Sequence, residues 1–238
     1  DNEEICYSFY FPEILIDGMQ LFMKKKKKRC SPQQKKMEIF LRRHGLLAEG
    51  RSYKDYDFEY SSKMPHFLKV GGNALNRKTN VKVGHLKGTN KNTNGWKVLK
   101  EKSISEFWDI YRAAVHSNRI QHRGVVAVES AFIDGTNVVL QSQFYEGGDM
   151  RYWCKEKSEK SKVKAFFKIA DALAFLHNKG IVHRDIKPEN IVFEHEGDDS
   201  HPAFCDFDIS KNVNETNATT MGVVGTWLYM PPENNTKF

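Results

Sequence analysis

Pro188 lies in the stretch that most restricts what this chain can fold into, Ile181-Val-His-Arg-Asp-Ile-Lys-Pro-Glu-Asn-Ile-Val-Phe193. A proline removes a backbone donor and blocks a regular helix. Apolar runs on either side, Ile181-Val182 and Ile191 to Phe193, draw the ends toward a core. Asp185, Lys187 and Asn190 are therefore presented in a loop instead of being absorbed into a ladder. A carboxylate, an ammonium and an amide this close together suit phosphoryl transfer. The carboxylate can accept a hydroxyl proton, the ammonium can neutralise phosphate charge, and the amide oxygen can ligate a hard cation.

His183-Arg-Asp-Ile-Lys-Pro-Glu-Asn190 resembles the catalytic loop of eukaryotic-type serine/threonine protein kinases. The resemblance implies an α+β, two-lobed protein-kinase-like fold with a β-rich N-lobe and a helical C-lobe. It implies Asp185 and Lys187 as catalytic residues, ATP and Mg2+ as cofactors and a protein hydroxyl as substrate. Asp206-Phe207-Asp208 follows Asn190 where the family places D-F-G, so Asn190 and Asp206 become the magnesium ligands. Asp in place of the third-position glycine is a departure, expected to stiffen the segment because Asp still tolerates left-handed backbone. Phe207 is expected against the helix after the lysine strand. Gly225-Thr-Trp-Leu-Tyr-Met-Pro-Pro-Glu233 matches the end of a serine/threonine kinase activation segment. Thr216, Thr219 and Thr220 lie between. Phosphorylated Thr219 or Thr220 could pair with Arg184 and order the segment, the alternative being a polar flexible loop.

The nucleotide side is less regular. Val81, Val83 and Leu86, then Trp96 and Val98, read as hairpin strands, with an earlier β pattern at Phe67 to Val70. No glycine-rich loop precedes Val81, where Asn76 to Asn80 stand, and Gly71-Gly72 reads as a turn. Without glycine the backbone cannot approach phosphates closely. The phosphate-positioning lysine is assigned to Lys97, in a stretch similar to the family's A-V-K-V-L-K-E, with Lys100 as the competing register. Alternation puts the two on opposite faces and does not choose between them. Ile104 to Val115 has helical periodicity. Counting back from His122-Arg-Gly-Val-Val126, which resembles the family's H-P-N-I-V, puts Ala113 where the lysine's glutamate partner belongs. Asp109 or Glu106 substitutes, the register is off, or the ion pair is missing.

Val138 to Met150 matches the last N-lobe strand and the hinge. It implies Ser142 as a small gatekeeper and main-chain adenine contacts at Gln143 and Tyr145, with Val192 a further nucleotide contact. Val163 to His177 predicts a buried helix on Phe166, Ile169, Ala170, Leu173 and Leu176, stopped at Gly180. His183 reads as a packed scaffold histidine. Glu194 to His201 reads as a polar hairpin tip between Ile191-Val-Phe193 and Phe204-Cys205.

In 238 residues the division is 1–62 as a flank, 63–145 as N-lobe and hinge, and 146–238 as the first half of a C-lobe. The sequence stops soon after Glu233, so an incomplete C-lobe with an uncovered apolar face is expected. In the flank, Met37 to Leu47 suggests a short amphipathic helix ending near Gly45. The net charge of +7 is concentrated in Lys24 to Arg29, with Lys35, Lys36, Arg42 and Arg43. A nucleic-acid or acidic partner through Lys24 to Arg43 is one reading, and a solvated basic segment is the other. Four cysteines without paired spacing and no apolar run of membrane-spanning length suggest a cytoplasmic or nuclear chain. The asparagine sequons at Asn214 and Asn217 are then chance. The chief rival to an active kinase is a pseudokinase scaffold that works through protein partners, favoured by the missing glycines and uncertain glutamate.

Overall fold

A computed structural model describes residues 31–58, 81–89, 95–118, 120–213 and 225–230. Lys24 to Arg29, Phe67 to Val70, Gly71-Gly72, Asn76 to Asn80, Thr216, Thr219, Thr220 and Pro231 to Glu233 lie outside the described residues.

Helix α1 (Pro32–Arg43) forms for local reasons. Ser31 and Gln34 make a reciprocal capping box, Pro32 fills the first turn, and Arg42 and Arg43 close the last turn. Gly45, at φ 66°, reverses the chain. The helix buries Met37 and Leu41 in a core with Leu46, Ile104, Ile110, Ala113, Ala114, Val128, Ala131, Val138 and Leu140. The boundary at residue 62 is therefore corrected, because residues 32–57 are part of the upper lobe. A 12-residue helix is marginal alone and needs this packing. Arg42 is engaged by Glu38 and Glu49.

A five-stranded antiparallel sheet carries that lobe in the order β1-β2-β3-β5-β4. Its strands are β1 (Tyr56–Asp57), β2 (Val81–Leu86), β3 (Trp96–Ser103), β4 (Val128–Asp134) and β5 (Asn137–Gln143). Opposite residues of an antiparallel pair share a face. Lys100 opposes Leu140 and Lys102 opposes Val138, whereas Lys97 opposes Gln143 and Leu99 opposes Gln141. Leu140 and Val138 lie in the core under α1, and Leu99 lies in a second cluster with Tyr56, Phe132 and Val139 on the other side. Between β3 and β4 runs helix α2 (Phe107–Tyr111), continued by a π-helical turn, Arg112–His116. The helical run expected over 104–115 thus lies three residues further on, at 107–118, and Phe107 and Trp108 keep part of their surface exposed.

After β5 come β6 (Gly148–Asp149), α3 (Met150–Trp153) and the long helix α4 (Glu159–Asn178). Strands β8 (Ile191–Phe193) and β9 (Pro202–Phe204) form the expected hairpin, and β6 pairs with β8. β7 (Ile181–Val182) pairs with β10 (Lys211–Asn212). A lower core joins Val125, Trp153, Ala165, Ala172, Leu176, Ile181, Ile191, Phe193 and Phe204. Only one side of α4 is covered. Phe166 and Ala170, expected inside, are exposed alongside Val163 and Phe167. The apolar pattern of α4 is wide enough for two faces, and the described residues cover one.

If α1 belongs to the core, Leu41→Ala should lower the unfolding free energy by about 2–5 kcal/mol. Ile39→Ala, at a position 55% exposed, should stay within about 0.5 kcal/mol. Urea unfolding of the two variants checks this, and equal, negligible effects would return α1 to a separate flank.

Candidate active site

The loop after β7 is held by a buried ring. His183 has no exposed surface. Its Nδ1 accepts the Asp185 backbone N–H at 3.3 Å, which leaves the proton on Nε2 to be donated to the Cys205 carbonyl at 2.9 Å. Burial pushes its pKa below the ordinary 6.5, with the Cys205 hydrogen bond opposing. Phe207 packs on the same ring, with centroids 4.8 Å apart. It lies in the lower core. Two non-glycine residues here adopt left-handed backbone, Arg184 at φ 67° and Asp206 at φ 66°. Asp208 is not among them, so its side chain causes no strain of this kind.

Asp185 is enclosed by donors. Lys187 Nζ donates to Oδ2 at 2.6 Å and Asn190 Nδ2 donates to Oδ2 and to the main-chain oxygen, both at 2.9 Å. Thr226 reaches Oδ1 through its N–H at 2.9 Å and its hydroxyl at 2.7 Å. Lys187 also donates to Thr226 Oγ1 at 2.8 Å. Gly225 makes this approach possible, being at φ 122° with the Arg184 carbonyl 2.7 Å from where a Cβ would sit. Burial tends to raise the Asp185 pKa, but the hydrogen bonds from Lys187, Thr226 and Asn190 outweigh it and hold the carboxyl below its usual value. Arg184, the expected phosphate receiver, donates to the Ile209 carbonyl at 2.6 Å.

Lys97 and its rival register Lys100 reach different partners. Lys97 Nζ lies 2.8 Å from Glu129 and 2.8 Å from the Gln143 side chain. Lys100, on the opposite face of β3, reaches Asp206 at 2.8 Å and Asp208 at 2.7 Å. Burial disfavours its charge, yet the two carboxylates hold its pKa well above the lysine norm. Reciprocally, Lys100 outweighs burial and lowers Asp206. Neither expected helix acid reaches Lys100. Glu106 and Asp109 approach Lys102 at 3.6 and 3.8 Å, and Asp109 also pairs with Arg112. Ala113 is buried in the α1 core.

Asn190 and Asp206 are fixed relative to each other, since the Cys205 N–H donates to the Asn190 carbonyl at 3.0 Å. Both acceptors of the Asn190 amide nitrogen are oxygens of Asp185, so its amide oxygen points away from them. One amide oxygen and one carboxylate suit a magnesium ion that takes its remaining ligands from phosphates and water. Among the described residues no cluster of three or more His, Cys, Asp or Glu could hold a metal ion.

After β5, β6 pairs with β8 and sets Asp149 opposite Val192. Ser142 pairs with Val98 across β5 and β3. Burial pushes the Tyr145 phenol up to about 12.

The protein kinase domain profile matches residues 79–235. The chain belongs to the protein kinase family. It is 33% identical over 144 residues to the serine/threonine-protein kinase PkaA of Streptomyces coelicolor, covering 58% of this chain and 26% of that one. It is 37% identical over 113 residues to the serine/threonine-protein kinase sck2 of Schizosaccharomyces pombe, covering 46% and 17%. With the serine/threonine-protein kinase SCH9 of Candida albicans it shares 28% identity over 193 residues, covering 77% and 23%. The chain thus spans about a quarter or less of the length of these relatives.

Within this kinase fold, Asp185, Lys187 and Asn190 meet as the sequence suggested, while Lys97 does not join them. Three contributors were missed. Thr226 was read only as part of a segment match, Asp208 only as a hinge change, and Lys102 not at all. Lys102 shares parity with Lys100 on β3, the one signal that pointed to it.

Two measurements follow from this geometry. Lys100→Met should weaken magnesium-ADP binding by about tenfold or more, as expected for loss of a charge-assisted contact. Lys97→Met should stay within about twofold by calorimetry, and the reverse order would favour the Lys97 assignment. His183, with its folded-state pKa below 6.5, contributes stability that is complete above that pH and declines as the pH falls below it. A His183→Asn variant, less stable throughout, should lose that part of the acid slope in pH-dependent unfolding.

Proposed function

We propose that this chain is the catalytic part of an ATP- and magnesium-dependent serine/threonine protein kinase. The observation that carries the reading is the Asp185 carboxylate, kept anionic and aimed by Lys187, Asn190 and Thr226. Asp185 orients a substrate hydroxyl and accepts its proton. All four lone-pair directions of the carboxylate are already in use, so the incoming hydroxyl replaces a neutral donor, the Thr226 Oγ1–H at Oδ1. Lys187, 2.6 Å from Asp185, stabilises the phosphoryl group as it moves toward that hydroxyl. Lys100 steadies the phosphates that stay behind. Asn190 and Asp206 would hold magnesium, which when bound neutralises phosphate charge. Main-chain groups of Gln143 and Tyr145, together with Val192, would hold the adenine. Catalysis on this arrangement is placement and preorganised charge rather than covalent chemistry.

The rival reading, a pseudokinase scaffold, draws on one observation, that no helix acid among the described residues reaches Lys100. One comparison decides between them. Full-length wild type and Asp185→Asn are given magnesium-ATP and a serine/threonine peptide library, and phosphate incorporation is counted. Wild type should exceed the variant by about a hundredfold or more, the scale of a positioned proton acceptor. Equal rates would remove the kinase reading.

A further inference from the structure

We propose that Asp208 is the positioning carboxylate of Lys100, replacing the acid that helix α2 does not provide. The inference rests on the kinase reading for the role of Lys100, and on geometry alone for the pairing. Among the described residues, the carboxylates within ion-pair distance of Lys100 are Asp206 and Asp208. Asp206 is the proposed metal ligand, so its hold on Lys100 competes with that task. Asp208 has no competing role. Its Oδ2 lies 2.7 Å from Lys100 Nζ and 2.5 Å from Lys102 Nζ. Of the four groups Lys102 is buried, Lys100 and Asp208 are half-buried and Asp206 is exposed, so Asp208 is the more sheltered carboxylate of the two. When Asp206 turns to a cation, Asp208 remains between the two ammonium groups.

The surroundings fix Asp208 as a rigid support. Its main-chain oxygen accepts from Arg112 Nε at 2.6 Å, so the π-helical turn after α2 contributes a cation to the backbone of the segment, while α2 contributes no carboxylate to the lysine. Phe207 is buried just before it. The Ser210 N–H donates to the Phe207 carbonyl at 3.1 Å, and Ser210 Oγ bonds to His116 on the π-helical turn at 2.7 Å. One oxygen, Asp208 Oδ1, is buried without a hydrogen-bond partner, a cost that a spectator side chain has no reason to incur. Lys100 is therefore held by the same short segment that carries Asp206. The lysine and the proposed metal carboxylate are thereby tied to one short segment, without a carboxylate from α2.

The test is a double-mutant cycle on full-length protein, read by calorimetric binding of magnesium-ADP, with wild-type phosphate transfer measured in parallel. The variants are Asp208→Asn, Asp208→Gly, Lys100→Met and each double. Asp208→Gly restores the residue usual in the family and keeps the experiment informative if the asparagine misfolds. In the Lys100 background, either Asp208 substitution should weaken binding about tenfold, as for a lost charged contact. In the Lys100→Met background it should change binding by less than about twofold, because there is no lysine left to position. Equal losses in both backgrounds would reduce Asp208 to a structural residue and overturn the inference, as would wild-type affinity in both Asp208 variants. Absence of transfer by a wild type that binds nucleotide and obeys the cycle would remove the kinase reading and leave the pairing in place. Absence of nucleotide binding by the wild type would remove both.

Discussion

The contact on which the site depends is the meeting of Lys100 and Lys102 from the sheet with Asp206 and Asp208 from the segment below it. Four charges sit together, shielded enough that burial opposes ionisation of both Lys100 and Asp206, and mutual attraction prevails in each case. An unpaired member would be costly, because a charge removed from water must be repaid by a close partner or shed its ionisation. The cluster ties the sheet to the segment that follows the Asp185 loop. Arg112, bonded to the Asp208 carbonyl, adds the π-helical turn after α2 to the same knot.

Beneath that cluster, neutral contacts align the loop. His183, buried and uncharged, spans from the Asp185 N–H to the Cys205 carbonyl and so joins the catalytic loop to the strand end before Asp206. The two left-handed residues flank this bridge, Arg184 on one chain and Asp206 on the other. Each is a conformation that a non-glycine residue holds only when its neighbours insist on it. Here the neighbours are the buried ring of His183 and Phe207 packed on it. Thr226, arriving from a distant part of the chain, completes the ring of donors around Asp185.

Local chemistry was readable in advance. The periodicity of Met37 to Leu47 marked a short helix, though not its capped start at Ser31, and the apolar runs around Glu194 to His201 marked a hairpin. The catalytic loop was legible because its groups lie within a few residues of one another, so a short loop brings them together whatever the rest of the fold does. The association of α1 with the sheet was not legible, since an amphipathic helix announces that it will be buried but not against what. The same limit applies to α4, where the pattern marked apolar residues without saying which of two faces would be covered.

Sequence alone determined the chemical groups of the site, the loop that presents them, and the family to which the chain belongs. The tertiary structure decided which lysine meets Asp206 and Asp208. Lys97 and Lys100 are equivalent by composition and spacing, and a strand's twofold alternation says only that they face opposite ways. The choice came from the register of β3 against β5, which turns the even-numbered side toward Leu140 and Val138 and sends Lys97 to Glu129. It also came from the path of the segment after Asp206, which carries Asp208 up to meet that side. Both depend on contacts between residues far apart in the chain, and no local pattern encodes them.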